Sequence, residues 1–202
     1  MLSDETGECI LVDAGCYFDD EKEELVRFID GAGLRPVKLV NTHCHFDHIL
    51  GVTFCRTTYG IPFFAHRDDA FMITHAVTQG EVFGVPFDPV DPPDGWISGG
   101  EPVYFGNSRM ETIHVPGHAP GSLVFYHPGQ KFMLAGDVLF RGSIGRTDLP
   151  KGNYEQLTGH IHQKLLVLPG DTVVYCGHGP ETTIGAEKGN NPFLVVGRKE
   201  RR

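Results

Sequence analysis

The chain has 202 residues, enough for a domain with a buried core, and its 40% hydrophobic and 21% charged content is that of a globular protein. With 17 basic against 26 acidic residues its net charge is −9, which repels phosphate backbones and sets nucleic acid aside as a partner. No apolar run approaches the roughly 18 residues of a membrane span, no secretory signal opens the chain, and an odd set of cysteines without a C-x-x-C pair points to a reduced, cytoplasmic setting.

In chain order, residues 3–8 read as a hairpin turn and Cys9-Ile10-Leu11-Val12-Asp13 as the strand that follows. Residues 20–32 have helical spacing, with Leu25, Val26, Phe28 and Ile29 as the apolar face and Gly31 and Gly33 at the end. A strand over 34–42, a helix over 49–59, a strand over 62–66 and a short helix over 68–76 continue the β-α-β alternation expected where helices cover a sheet. Residues 79–100 lack periodicity and carry Pro86, Pro89, Pro92 and Pro93 with Phe83, Phe87 and Trp96. Such a stretch is expected to be a surface loop pinned by its aromatics, or a lip over a site. Strand-like runs return at 102–105, 111–115, 122–127 and 131–135, a helix capped by Asn153 covers 154–166, and 172–176 is the last inner strand. Residues from Gly197 on form a basic tail. No repeat or linker divides the chain, which reads as one domain over 1–202.

The run Thr42-His43-Cys44-His45-Phe46-Asp47-His48 places three imidazoles and one carboxylate within six residues, directly after a strand. On extended backbone His43 and His45 share a face, and a turn after them lets Asp47 and His48 point back from the start of a helix. That arrangement suits two adjacent divalent metals, with His43 and His45 on one and Asp47 and His48 on the other. His118 in Val115-Pro116-Gly117-His118, Asp137 in Leu134-Ala135-Gly136-Asp137 and His178 in Cys176-Gly177-His178 each stand where an apolar run meets a glycine. Ligands so placed are held by a rigid sheet yet stay within reach of substrate. Cys44 alternates away from its neighbours and reads as a core thiol. His66, His75, His114, His127, His160 and His162 lack ligand spacing and read as surface or supporting residues.

These motifs resemble those of the metallo-β-lactamase superfamily along nearly the whole chain. The resemblance implies an α/β fold of the four-layer αββα sandwich type. It implies a first metal on His43, His45 and His118, a second on Asp47, His48 and His178, and Asp137 bridging the two. Zinc is the first choice for both ions, and iron or manganese accepts the same ligands. Asp13, at a strand end before Ala14-Gly15, resembles the family's first motif and is expected to orient the ligand loop. Members usually carry another strand ahead of the first turn, so the family's first N-terminal strand is expected to be lacking.

Asp137 stands where the best-known zinc β-lactamases have Cys, and His45 where the flavodiiron proteins have Glu. The runs Gly136-Asp137-Val138-Leu139-Phe140 and Gly142-Ser143-Ile144-Gly145-Arg146-Thr147-Asp148 look like those of short glyoxalase II-like proteins. So does the run containing Thr183, Gly185, Glu187, Asn190 and Phe193. That likeness implies hydrolysis of a thioester, such as S-lactoylglutathione or a related acyl thiol, by water activated at the metals, with Asp47 orienting it. Arg146 is expected either to meet the glutathione carboxylate or to pair with Asp148 in its own loop. The C-terminal helical domain of larger glyoxalase II enzymes is not matched, which favours a broader thioester. Two rivals share the fold: a persulfide dioxygenase with one iron on His43, His118 and Asp137, and a lactonase.

Overall fold

The computed structural model describes residues 1–195, so the basic tail expected from Gly197 lies outside the described residues. Two compact units follow one another, the first through Arg109 and the second from Met110. Among the described residues no helix is long and apolar enough to cross a membrane.

The first unit begins with β1 (Leu2–Ser3), β2 (Glu8–Val12), α1 (Asp19–Gly31) and β3 (Arg35–Val40). A single 3-10 turn (Phe46–His48) then leads to α2 (Val52–Tyr59), β4 (Phe63–Ala65), a second 3-10 turn (Arg67–Asp69), α3 (Ala70–Val82), β5 (Gly95–Trp96) and β6 (Val103–Phe105). One sheet runs β1-β2-β3-β4-β5, antiparallel at β1 and parallel from β2 onward. Parallel strands covered on both faces are apolar throughout rather than alternating, and Cys9, Ile10 and Leu11 of β2 are all buried. Val12 pairs with Val40, so β2 and β3 end level and release Asp13 and Asn41 side by side. Carboxyl ends of neighbouring parallel strands are where α/β sheets place their sites.

The second unit starts within β7 (Ser108–His114), followed by β8 (Leu123–His127), β9 (Phe132–Gly136), the hairpin β10 (Leu139–Phe140) and β11 (Ser143–Ile144), and α4 (Tyr154–His160). A π turn (Ile161–Leu165), β12 (Val173–Cys176), β13 (Thr182–Thr183) and α5 (Ile184–Asn190) complete it. Its sheet order is β13-β12-β9-β8-β7, and β9 and β12 run parallel. Val124, Met133, Ala135 and Val174 from the sheet and Leu157, Ile161 and Ile184 from the helices form its core. A register shift after Tyr175 pairs Cys176 with Gly136, so Asp137 and Gly177 leave the sheet together, tied by Gly177 N–H to Gly136 O at 2.8 Å.

Several expectations need correction. Phe28 does not join the buried face of α1: it is 58% exposed, and Ile29 alone of that helix is buried. The short helix expected over 68–76 runs on to Val82, and Gly95–Trp96 is a strand, so the aperiodic stretch is shorter than 79–100. Glycine and β-branched residues are weak local signals that pairing with β4 and packing of α3 override. Asn153 does cap α4, accepting from Gln156 N–H at 2.9 Å, but the helix loosens into the π turn, where Leu166 N–H reaches Ile161 O. The helix α5 has no counterpart in the sequence reading.

Glu187 fixes α5 to the second unit. Its buried carboxylate accepts from Gly142 N–H (2.9 Å), Thr182 Oγ1 (2.6 Å) and Asn191 Nδ2 (2.7 Å), while Asn191 also donates to Ser143 O (2.9 Å). Removing a buried acceptor strands its donors. Glu187→Ala is therefore expected to cost about 3 kcal/mol, read as a lower urea midpoint at unchanged slope. Glu187→Gln, which keeps one accepting oxygen, should cost less.

Candidate metal centre

The first donor cluster is built on Asp13. Its backbone N–H bonds Val40 O at 3.1 Å, and its φ of +51° turns the chain sharply off β2. Oδ1 accepts from Thr42 N–H at 2.7 Å and Oδ2 from Thr42 Oγ1 at 2.6 Å. His48 Nδ1 lies 3.1 Å from the same Oδ2. The single hydroxyl proton of Thr42 goes to Asp13, so Thr42 Oγ1 accepts from His43 Nδ1 at 3.1 Å. Both rings thus carry their proton on Nδ1 and present Nε2 as the lone-pair nitrogen, the form in which imidazole ligates a metal.

Asn41 closes the loop, its Nδ2 donating to His43 O (3.0 Å) and His48 O (2.9 Å) from a fully buried position. The His43 ring centroid is 4.0 Å from that of His48 and 4.8 Å from that of His45, and all three rings are buried. One ligand atom from each of Asp13, His43 and His48 lies within 4.8 Å of the others. Asp47, with a side chain 36% exposed, holds Oδ2 3.7 Å from His48 Nε2 and is the accessible carboxylate of the group. Gly15 and Gly51 make the turn tight: a Cβ at Gly15 would strike Asp47 O, and Gly51 N–H bonds Ala14 O at 2.7 Å. Cys44 is a buried core thiol, as the alternation implies, and burial pushes its pKa up.

The second cluster gathers around Asp137. His118 Nε2 and His178 Nε2 each lie 3.7 Å from Asp137 Oδ2. His118 Nδ1 donates to Arg146 O at 2.8 Å, which again turns Nε2 toward the carboxylate. A Cβ at Gly145 would collide with the Asp137 carbonyl and one at Gly177 with the Asp137 carboxylate, so glycine is what lets the backbone approach this residue. The guanidinium of Arg146 is engaged in a two-point pair with Asp148 (2.7 and 2.8 Å), which holds the Asp148 carboxyl at about 2. Its carbonyl, rather than its fork, therefore touches a candidate ligand.

Supporting residues account for several histidines. His114 Nε2 bonds Pro120 O (2.8 Å), His160 Nδ1 bonds Pro116 O (3.1 Å), and Lys164 Nζ donates to His114 O (2.6 Å), bracketing the loop that carries His118. Thr42 and Asn41 escaped the sequence reading. The available signal was a polar pair at the end of an apolar strand, where burial demands partners. Phe83, Phe87 and Pro86 lie within the first unit: Phe83 stacks on Phe46, and Tyr17 Oη donates to Pro86 O at 2.6 Å. The two clusters offer imidazoles and carboxylates, a donor set that fits zinc, iron or manganese.

A family model described as the metallo-beta-lactamase superfamily matches residues 2–178. A Haemophilus influenzae protein named hydroxyacylglutathione hydrolase GloC is 36% identical over 96% of this chain and 91% of its own length. Among solved structures, the BLEG-1 B3 metallo-beta-lactamase is 36% identical with a TM-score of 0.87, over 96% of this chain and 92% of that one. TTHA1623, solved in a di-iron-bound form, is 34% identical with a TM-score of 0.82, over 91% and 88%. The αββα architecture expected from the motifs is thus the fold of this chain.

Asp13→Ala would release both Thr42 and His48. Loss of such a partner behind a ligand lowers metal affinity by about 10–100-fold. Chelator competition on the variant should show that drop with an unchanged far-ultraviolet circular dichroism spectrum.

Proposed function

The chain belongs to the metallo-β-lactamase superfamily, and from that membership and the two donor clusters we propose that it is a dinuclear metal-dependent thioester hydrolase of glyoxalase II type. His43, His45 and His118 hold one ion, Asp47, His48 and His178 the other, and Asp137 serves both, with residues 1–202 acting as a single domain. Zinc is the proposed metal, with iron the alternative that a di-iron relative raises. Divalent ions held there would lower the pKa of a coordinated water to about 7 and polarise a carbonyl.

The protein's own groups do the rest. Asp13 and the Arg146 carbonyl keep three ligand rings in the accepting tautomer, so no proton competes at Nε2. Asp47, the accessible carboxylate, orients the attacking water and takes its proton. The water oxygen adds to the acyl carbon, the C–S bond breaks, and the thiolate leaves with the proton, giving a carboxylic acid and a thiol. Arg146 and Asp148 are both exposed, and exposed pairs contribute little stability, so the fork can exchange Asp148 for a substrate carboxylate at small cost. The likeness to a protein named hydroxyacylglutathione hydrolase supports an S-acyl glutathione such as S-lactoylglutathione. Five free cysteines support a reducing, cytoplasmic setting.

The observation that carries this reading is that Nδ1 of His43, His48 and His118 each faces an oxygen of the protein, at 3.1, 3.1 and 2.8 Å, which leaves Nε2 for a metal. Elemental analysis of protein purified without added metal should find near two ions per chain. Stripping them should abolish S-lactoylglutathione hydrolysis and re-addition restore it. Asp47→Asn should lower kcat by about 10²–10⁴-fold, and His48→Ala and His178→Ala should lose metal and activity together. One iron per chain with oxygen consumption on glutathione persulfide would replace this reading with the dioxygenase. Faster turnover of lactones or β-lactams than of thioesters would replace the substrate class.

A further inference from the structure

Phe46 sits in the chain between His45 and Asp47, and its ring stacks on that of Phe83, with centroids 5.1 Å apart and planes 20° from parallel. Phe83 caps the end of α3 and remains 57% exposed. An aromatic ring left in water does little for folding, since its contribution scales with the area it buries. Yet its backbone is held. Phe83 N–H is shared between Gln79 O (3.2 Å) and Gly80 O (3.1 Å), and Val85 N–H bonds Gly80 O at 2.8 Å. Three residues on, Pro86 O accepts from Tyr17 Oη at 2.6 Å. Gly80 has no space for a side chain, because a Cβ would meet Val85 O and the Phe87 ring.

A fixed, exposed ring stacked on the residue between two ligands is an apolar wall made before any ligand arrives, which lowers the ordering cost of binding. Phe46 is the chain neighbour of both His45 and Asp47, so a thioester attacked at those residues has the Phe46–Phe83 pair as the adjoining apolar surface for its acyl substituent. A flat aromatic substituent extends the existing offset stack, the geometry that aromatic pairs prefer.

We propose that Phe83 and Phe46 form the acyl-selecting wall of this site, so that its preferred thioesters carry an aromatic or bulky apolar acyl group. The proposal rests on the thioester-hydrolase reading above and narrows it. The test pairs S-mandeloylglutathione with S-lactoylglutathione, two 2-hydroxyacyl thioesters that differ by phenyl against methyl. The wild-type protein is expected to favour the mandeloyl substrate in kcat/KM. Phe83→Ala should cut that preference about tenfold, within the discrimination an apolar pocket supplies for small changes in bulk. Phe83→Leu, which keeps bulk without the stack, should fall between them.

Calorimetry with S-benzylglutathione, an unreactive thioether, should show about tenfold weaker binding to Phe83→Ala, with S-methylglutathione unaffected. An unchanged mandeloyl-to-lactoyl ratio together with unchanged S-benzylglutathione affinity in a folded Phe83→Ala would overturn the wall. If the wild-type protein hydrolyses neither thioester, the hydrolase reading falls and the thioether affinities alone decide for or against the wall.

Discussion

The Asp13 carboxylate is the constraint on which the first donor cluster depends. It receives Thr42 N–H and Oγ1, lies 3.1 Å from His48 Nδ1, and through Thr42 fixes the proton of His43. Its backbone sits at a positive φ, which costs a non-glycine residue about 1–2 kcal/mol. Hydrogen bonds to an ionised carboxylate contribute about 1.5–3 kcal/mol each, so the two from Thr42 more than offset the strain. The balance favours the turn, and the turn is what places the carboxylate behind two imidazoles at once. Conformational strain at a polar residue is here tied to a site, where such strain tends to collect.

The second cluster reaches the same end by backbone. His118 is oriented by the Arg146 carbonyl, and Asp137 is approached by main chain at Gly145 and Gly177, where a side chain would collide. The two solutions differ in what sequence change they tolerate. Orientation through a side chain is lost with that side chain. Orientation through a carbonyl survives substitution at residue 146 but not a shift of the loop, which the bond from Gly142 to Glu187 helps to fix. In both units the candidate donors follow paired strands that end at matching heights, Val12 beside Val40 and Gly136 beside Cys176.

That pairing explains what the sequence disclosed. The grouping of His43, His45, Asp47 and His48 was legible because its spacing is local, and β2 was legible because a buried parallel strand is continuous in hydrophobicity. The partners of those ligands were less so. Thr42 and Asn41 are ordinary polar residues until the loop folds back on them, and Arg146 offered two roles of which only its bonding to Asp148 is visible in geometry. The extension of α3 to Val82, the two-residue strand β5 and the helix α5 depend on contacts distant in sequence. Phe28 misled because helical periodicity marks an apolar stripe without marking how much of it the sheet covers.

Charge ties the chemistry to the substrate. The chain carries −9 overall, a poor start for attracting an anionic acyl glutathione. In the first unit Asp13 and Asp47 both stand beside His48, and like charges gathered in partly buried positions repel. Two divalent ions held as proposed would bring four positive charges against the two carboxylates of the proposed ligand set, Asp47 and Asp137. Ions so held would offset the repulsion among the carboxylates and turn the local field toward an anion, against the sign of the protein as a whole. Charge of that kind draws in any anionic thioester alike. Discrimination among acyl groups has to come from uncharged surface, and Phe46 with Phe83 is the fixed uncharged surface set against the ligand turn.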